Sequence, residues 1–175
     1  MPVIVRRIRA EEWQQARALR LDALRDPDAD LAFLDTYEHA ATFPDELWQG
    51  RAAASAQGDD AAQLVAIDDD LWVGSVTVLV QRAGAQDHHG RPIGRSRALL
   101  VGVYVRPSHR GTEVIADLLD AAADWCRSRD FTELTLDVHR DNARAMGAYR
   151  RAGFVPSGVA FTSTIGPEIE MALTL

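Results

Sequence analysis

The stretch Val105-Arg106-Pro107-Ser108-His109-Arg110-Gly111 lies between an alternating apolar run and a long amphipathic one. A strand-to-helix junction of this kind opens on backbone donors. The first amides of a helix lack intrahelical partners and sit at the positive end of its dipole. Such a junction can cradle a pyrophosphate. Residue types close off other chemistries. All 19 Lys+Arg residues are Arg, which excludes a side-chain Schiff base and a P-loop lysine. Phosphate recognition then falls to guanidinium groups, backbone N–H groups or hydroxyls. The single cysteine, Cys126, excludes an intrachain disulfide and a Cys-rich zinc cluster. It lies on an apolar stripe, so burial is expected rather than nucleophilic work. Asp87-His88-His89 has metal-ligand residue types, but adjacent histidines in an extended loop tend to point apart. No second ligand cluster has suitable spacing, so the reading is a solvated loop and no metal.

The elements that must position these groups read as mixed α and β. Residues 3–8 predict a short strand. Trp13, Ala16, Leu19 and Ala23 recur near helical spacing, and that helix should end before Asp26-Pro27, because proline drives its predecessor out of the α region. A second helix is expected from near Pro44, carrying Leu47, Trp48 and residues 52–54. Between the two lies an acidic segment, 28–43. Residues 63–67 and 71–80 predict strands joined by an Asp68-Asp69-Asp70 turn. Residues 81–97, with Gly84, Gly90, Pro92 and Gly94, read as a long loop.

Residues 98–105 predict a strand with Leu99, Val101, Val103 and Val105 on one face, ended by Pro107. A helix of about five turns is expected over 111–129, its stripe formed by Val114, Ile115, Leu118, Leu119, Ala122, Ala123 and Cys126. Residues 134–138 alternate as a strand, with Thr135 and Asp137 on the opposite face. Residues 142–152 predict a helix, followed by Gly153-Phe154 and a final strand within 168–173. No repeat, low-complexity tract or linker interrupts the chain, so residues 1–175 read as a single α+β domain.

Composition sets outer bounds. The 175 residues are 47% hydrophobic and 26% charged, which suits one globular domain with a real core. A formal net charge of −7 disfavours non-specific binding to nucleic acid or anionic membranes. Residues 1–7 lack the long apolar region of a signal peptide. No apolar run approaches the roughly 18 residues of a membrane span. These features predict a cytoplasmic protein with no nucleic-acid or membrane partner, and they leave room for a homodimer.

Residues 136–154 carry the most specific pattern: a strand, an Asn142-headed helix, Ala145, Tyr149 and then Gly153-Phe154. Together with the preceding Val-x-Pro-x-x-Arg-Gly stretch, this resembles the GNAT superfamily of acyl-CoA-dependent N-acyltransferases. The strong match covers residues 98–158. The resemblance implies a mixed, mostly antiparallel sheet flanked by helices and splayed between the strands ending at Val105 and Val138. Acetyl-CoA would be the co-substrate and would lie in that gap. Backbone groups of Val103 and Val105 would face the pantetheine and thioester, and Arg110, Gly111 and Thr112 the pyrophosphate. Asn142 would contact the pantetheine, and Tyr149 would act as general acid. Each role makes physical sense: a preorganised N–H stabilises an oxyanion, and a phenol can protonate a departing thiolate. Asn142 could equally cap its helix.

Two departures stand out. Aligned on Arg110, the phosphate loop carries Glu113 and Ile115 where the family places Gly and Gly/Ala. A Cβ obstructs close backbone approach, and a carboxylate repels the pyrophosphate. Leu99 occupies the position where some members carry a basic Glu. Asp137, Glu38, His109 and a water chain stay open as proton acceptors. The implied activity is acetyl transfer from acetyl-CoA to a primary amine, by direct attack in a ternary complex. The acceptor would be a small molecule or an N-terminal amine. The alternative is a non-catalytic binding or regulatory module in which Glu113 and Ile115 impair cofactor binding.

Overall fold

The computed structural model describes residues 2–175. Its strands are β1 (Ile4–Arg7), β2 (Ala61–Asp68), β3 (Leu71–Gln81), β4 (Arg97–Val105), β5 (Glu133–His139), β6 (Val155–Ser163) and β7 (Gly166–Thr174). Its helices are α1 (Trp13–Leu24), α2 (Ala29–Ala32), α3 (Tyr37–Ala40), α4 (Asp45–Gln57), α5 (Val114–Arg127) and α6 (Ala143–Arg151). The strands form one sheet in the order β1-β2-β3-β4-β5-β7-β6. Only the β4–β5 pair is parallel. This is the expected α+β architecture.

An apolar layer covers each face. On one, Leu118, Leu119, Ala122 and Cys126 of α5 pack with Val76, Leu100, Leu136 and Phe154. On the other, Leu19, Ala23, Phe33 and Ala52 pack with Val65, Trp72 and Tyr104. The α5 stripe is buried as its spacing predicts, except Ile115, which is half-buried against the same core. Asp69 and Asp70, at φ 42° and 69°, form the two-residue turn of the β2–β3 hairpin, a backbone geometry that matches strand twist.

The structure departs from the sequence reading in four places. Strand β4 does not keep one face. Between the pairs Thr77–Val101 and Ser75–Tyr104, β4 advances three residues while β3 advances two. This bulge is centred near Gly102, at φ +61°, and it reverses the alternation. Leu100, Val103 and Val105 therefore share the α5 side, whereas Tyr104 joins the opposite core. Helix α5 begins at Val114, three residues later than expected, because Pro107–His109 forms a separate 3-10 turn. Strand β6 was hidden in the sequence by Pro156, Gly158 and largely exposed side chains, as befits a sheet edge. The acidic segment also contains α2 and α3, each a single turn, too short to show a period.

Candidate active site

The site begins where β4 and β5 part. Their pairing covers only Ala98–Leu134, Leu99–Thr135 and Leu100–Leu136. Past these residues both strands continue, held on their outer sides, with Val105 opposite Gly74 and Asp137 opposite Glu170. Backbone groups of β4 that face β5 beyond Leu100 are thus freed from the ladder. The bulge that re-aims Val103 sits in the same stretch.

The phosphate-side junction follows directly. Arg110 Nε donates to the Val105 carbonyl at 2.9 Å, and its terminal nitrogen pairs with the Asp26 carboxylate. Asp26 is held below the usual carboxylate range: backbone and guanidinium hydrogen bonds outweigh the desolvation that acts to raise it. Gly111 takes φ +74° with open space around the position of a Cβ, so the turn's conformation, not crowding, requires glycine. The Thr112 hydroxyl donates to the His109 carbonyl at 2.6 Å and accepts from Val114 N at 3.4 Å. The first bond into α5 runs from Asp117 N to the Glu113 carbonyl at 2.9 Å. The amides of residues 111–116 precede it at the positive helix end. Glu113 is exposed at this junction.

On the far side of the gap, Asn142 caps α6. Its Oδ1 accepts from Ala145 N at 3.3 Å, and its Nδ2 donates to the Leu31 carbonyl at 3.4 Å. Arg144 pairs with Asp28 at 2.9 Å, so the acidic segment is fastened across the start of α6. That segment also lines a cavity of about 360 Å3 that includes Asp30, Asp35 and Glu38. Tyr149 is only 7% exposed and belongs to the apolar cluster containing Leu100, Leu136 and Val138. Burial pushes its phenol up, so it stays protonated and able to donate.

Among the open proton acceptors, the structure separates Asp137 from the rest. Glu38 is exposed on α3. His109 is tied to Asp68 at 2.9 Å and to Ser108 at 2.8 Å. Asp137 is the first β5 residue beyond the last β4 partner, and its side chain is 7% exposed. Desolvation, with Glu170 and Glu168 adding repulsion against Arg91 and His89, pushes its carboxyl up to about 6. Cys126 is buried, and its thiol is pushed up to about 12 by desolvation, which makes it inert.

The reading of residues 87–89 as a solvated loop is corrected for Asp87 and His89, while His88 is exposed. Asp87 is buried and accepts from the amides of His89 and Arg91 and from Arg91 Nε. The two imidazoles lie side by side, centroids 4.0 Å apart, and His89 packs on Phe161. The loop folds inward because the Asp87 carboxylate gathers these three donors.

Comparison with known proteins agrees with this fold. The sequence pattern described as "Acetyltransferase (GNAT) family" matches residues 12–154. The chain belongs to the GNAT acetyltransferase family. Over 118 residues, 67% of its length, this GNAT protein is 30% identical to a streptothricin acetyltransferase of Streptomyces lavendulae. It spans about half the length of the curated relatives it matches. A GNAT-family acetyltransferase structure from Streptococcus pneumoniae superposes with TM-score 0.76 at 17% identity, covering 99% of each chain. The PaiA N-acetyltransferase of Thermoplasma acidophilum, in complex with coenzyme A, gives 0.75 at 17% identity, covering 100% of each. Sequence reasoning missed Glu168, Glu170 and the inward-facing His89 and Arg91. The alternation of Glu168 and Glu170 with Ile169 and Met171 was the available signal, but pairing with Asp137 depends on a register that the sequence does not print.

Proposed function

We propose that this protein moves an acetyl group from acetyl-CoA to a primary amine by direct attack within a ternary complex. The divergence of β4 and β5 after Leu100 and Leu136 carries the reading, because it leaves room for an extended thioester arm between two strands. Arg110, Gly111, Thr112 and the following amides form the phosphate cradle. Val103 and Val105 offer backbone groups to the thioester side, and Asn142 flanks the arm from the start of α6. The acceptor nitrogen attacks the thioester carbon, the C–S bond breaks, the thiolate takes its proton from Tyr149, and the surplus proton on the new amide nitrogen restores the Tyr149 phenol. Asp137 receives the proton that the ammonium must lose. Its raised affinity for protons suits that task near neutral pH.

The exposure of Glu113 favours this reading over a non-catalytic module, since the carboxylate can point to solvent while the amides face a pyrophosphate. The engagement of Arg110 by Asp26 is the observation that favours the module. Thermal shift decides between them. Specific binding raises apparent stability as RT ln(1 + [L]/Kd), so acetyl-CoA should raise the melting temperature and an amine panel should release free thiol. No shift at millimolar acetyl-CoA assigns the fold to the module.

A further inference from the structure

The acids at the end of α1 are already taken. Arg106 pairs with Asp22 at 2.9 Å, Arg110 with Asp26, and Arg144 with Asp28 at 2.9 Å. Two arginines of the same layer are left over. Arg20 leaves α1 and lies on Phe33, its guanidinium carbon 4.5 Å from the ring centroid. Arg51 leaves α4, with its guanidinium carbon 5.2 Å from the Phe43 centroid and 5.6 Å from that of Trp48. Among the described residues, the Arg20 and Arg51 guanidiniums make no ion pair and no hydrogen bond, only these ring contacts. A phenyl face satisfies none of the five N–H donors that a guanidinium carries.

The two cations belong to one neighbourhood. Helix α1 packs on α4, and Phe33 and Phe43 share one apolar cluster. Burial comes first in holding the Arg20 guanidinium below its ordinary value; Asp35 acts against it, and the Arg51 charge adds to it. Asp35 is engaged elsewhere, its Oδ1 lying 2.7 Å from His39 Nδ1 and accepting from Thr36 N at 2.8 Å. Both guanidiniums can be reached. Arg51 is exposed, and none of the Arg20 nitrogens is among the unpartnered atoms sealed from solvent. The neighbourhood also adjoins the gap. Phe33 directly follows α2, and the Leu31 carbonyl of α2 accepts from Asn142 at 3.4 Å.

We infer that Arg20 and Arg51 together bind one oxyanion, a carboxylate or a phosphate, between α1 and α4. Two like charges held near each other favour an anion that bridges them, and planar guanidinium forks match the oxygens of both groups. A chain of net charge −7 exerts no long-range pull on an anion, so short contacts must supply the affinity. Two sources offer such a group: the acceptor itself, as an amine that also bears an oxyanion, or a free anion. The first rests on the proposed acetyl transfer and deepens it, whereas the second stands without it.

The test uses the full chain, with inorganic phosphate and acetate titrated in calorimetry at constant ionic strength. Coenzyme A is present in excess, to fill the cradle before α5. At least one anion should bind, and Arg20→Met and Arg51→Gln should each weaken it about tenfold, the loss of one charge-assisted contact. Arg20→Met keeps an unbranched stem on Phe33, and Arg51→Gln alters an exposed residue, so it decides alone if the first variant does not fold. Binding of neither anion, or binding unchanged in either folded variant, overturns the inference. Thiol release then assigns the source. Amino acids are compared with their amides, and aminoalkyl phosphates with the amino alcohols, each corrected for the fraction of free amine. A kcat/KM about tenfold higher for the anionic member, lost in the variants, places the oxyanion on the acceptor. Anion binding without that preference assigns a free anion. Anion binding with no thiol release from any amine keeps the oxyanion site and removes the acetyl-transfer reading. Thiol release with no anion binding does the reverse.

Discussion

The proposed function gives opposite proton duties to Tyr149 and Asp137, and their surroundings differ accordingly. Burial keeps the Tyr149 phenol protonated. Its replacement by phenylalanine preserves ring packing against Phe154 and removes only the donor. In Tyr149→Phe, kcat should fall about 10²–10⁴-fold, the usual worth of a positioned acid, while the thermal shift with acetyl-CoA persists. Full turnover would remove the role. Asp137 faces Arg91 and His89 from the loop and Glu168 and Glu170 from β7, and desolvation dominates the sum, giving a value of about 6. A base works only when deprotonated, so kcat/KM should rise with pH through about 6. Asp137→Asn should lose both that limb and most of the rate. A limb unchanged in Asp137→Asn would assign it to another group.

At the scale of elements, the bulge in β4 is what turns a regular strand into one wall of a site. Gly102 supplies the backbone conformation at φ +61°, and a Cβ there would meet only Thr77 Oγ1 at 4.0 Å. The cost of a side chain is therefore conformational rather than steric, about 1–2 kcal/mol for an L-residue in the left-handed region. Gly102→Ala should lose that much stability in urea titration, and Gly102→Asn should lose less. Equal losses would point to packing instead. The same bulge explains where sequence reading stopped. Helices α1, α5 and α6 announce themselves through period and caps, since Asp26-Pro27 and Asn142 are local signals. The face assignment along β4 fails because one extra residue reverses every later side chain. The cluster of Asp137, Glu168 and Glu170 depends on β5–β7 register across some thirty residues of chain, which no local pattern encodes. Strand β6, mostly solvated, has no alternation to read.

For the molecule as a whole, the buried Asp137 carboxylate is a burden on folding. The sign can be worked out from Asp137. Its carboxyl binds protons more tightly folded than unfolded, so its contribution favours the native state below pH 4 and is lost as pH rises through about 6. The shift corresponds to roughly 3 kcal/mol at neutral pH. Glu12, Asp35 and Asp87, held below the usual range by hydrogen bonds to Arg6, His39 and the residue 89–91 turn, pull the other way. The wild-type profile alone therefore mixes both signs, and a comparison isolates Asp137. Asp137→Asn cannot ionise, so its stability relative to wild type should be greater at pH 8 than at pH 4 by up to roughly 3 kcal/mol, measured by urea titration at both pH values. A variant that gains stability while losing turnover would mark the carboxylate as retained for chemistry rather than for the fold. A difference independent of pH would mean that Asp137 is ionised at little cost, which would withdraw both its raised proton affinity and its assignment as the base.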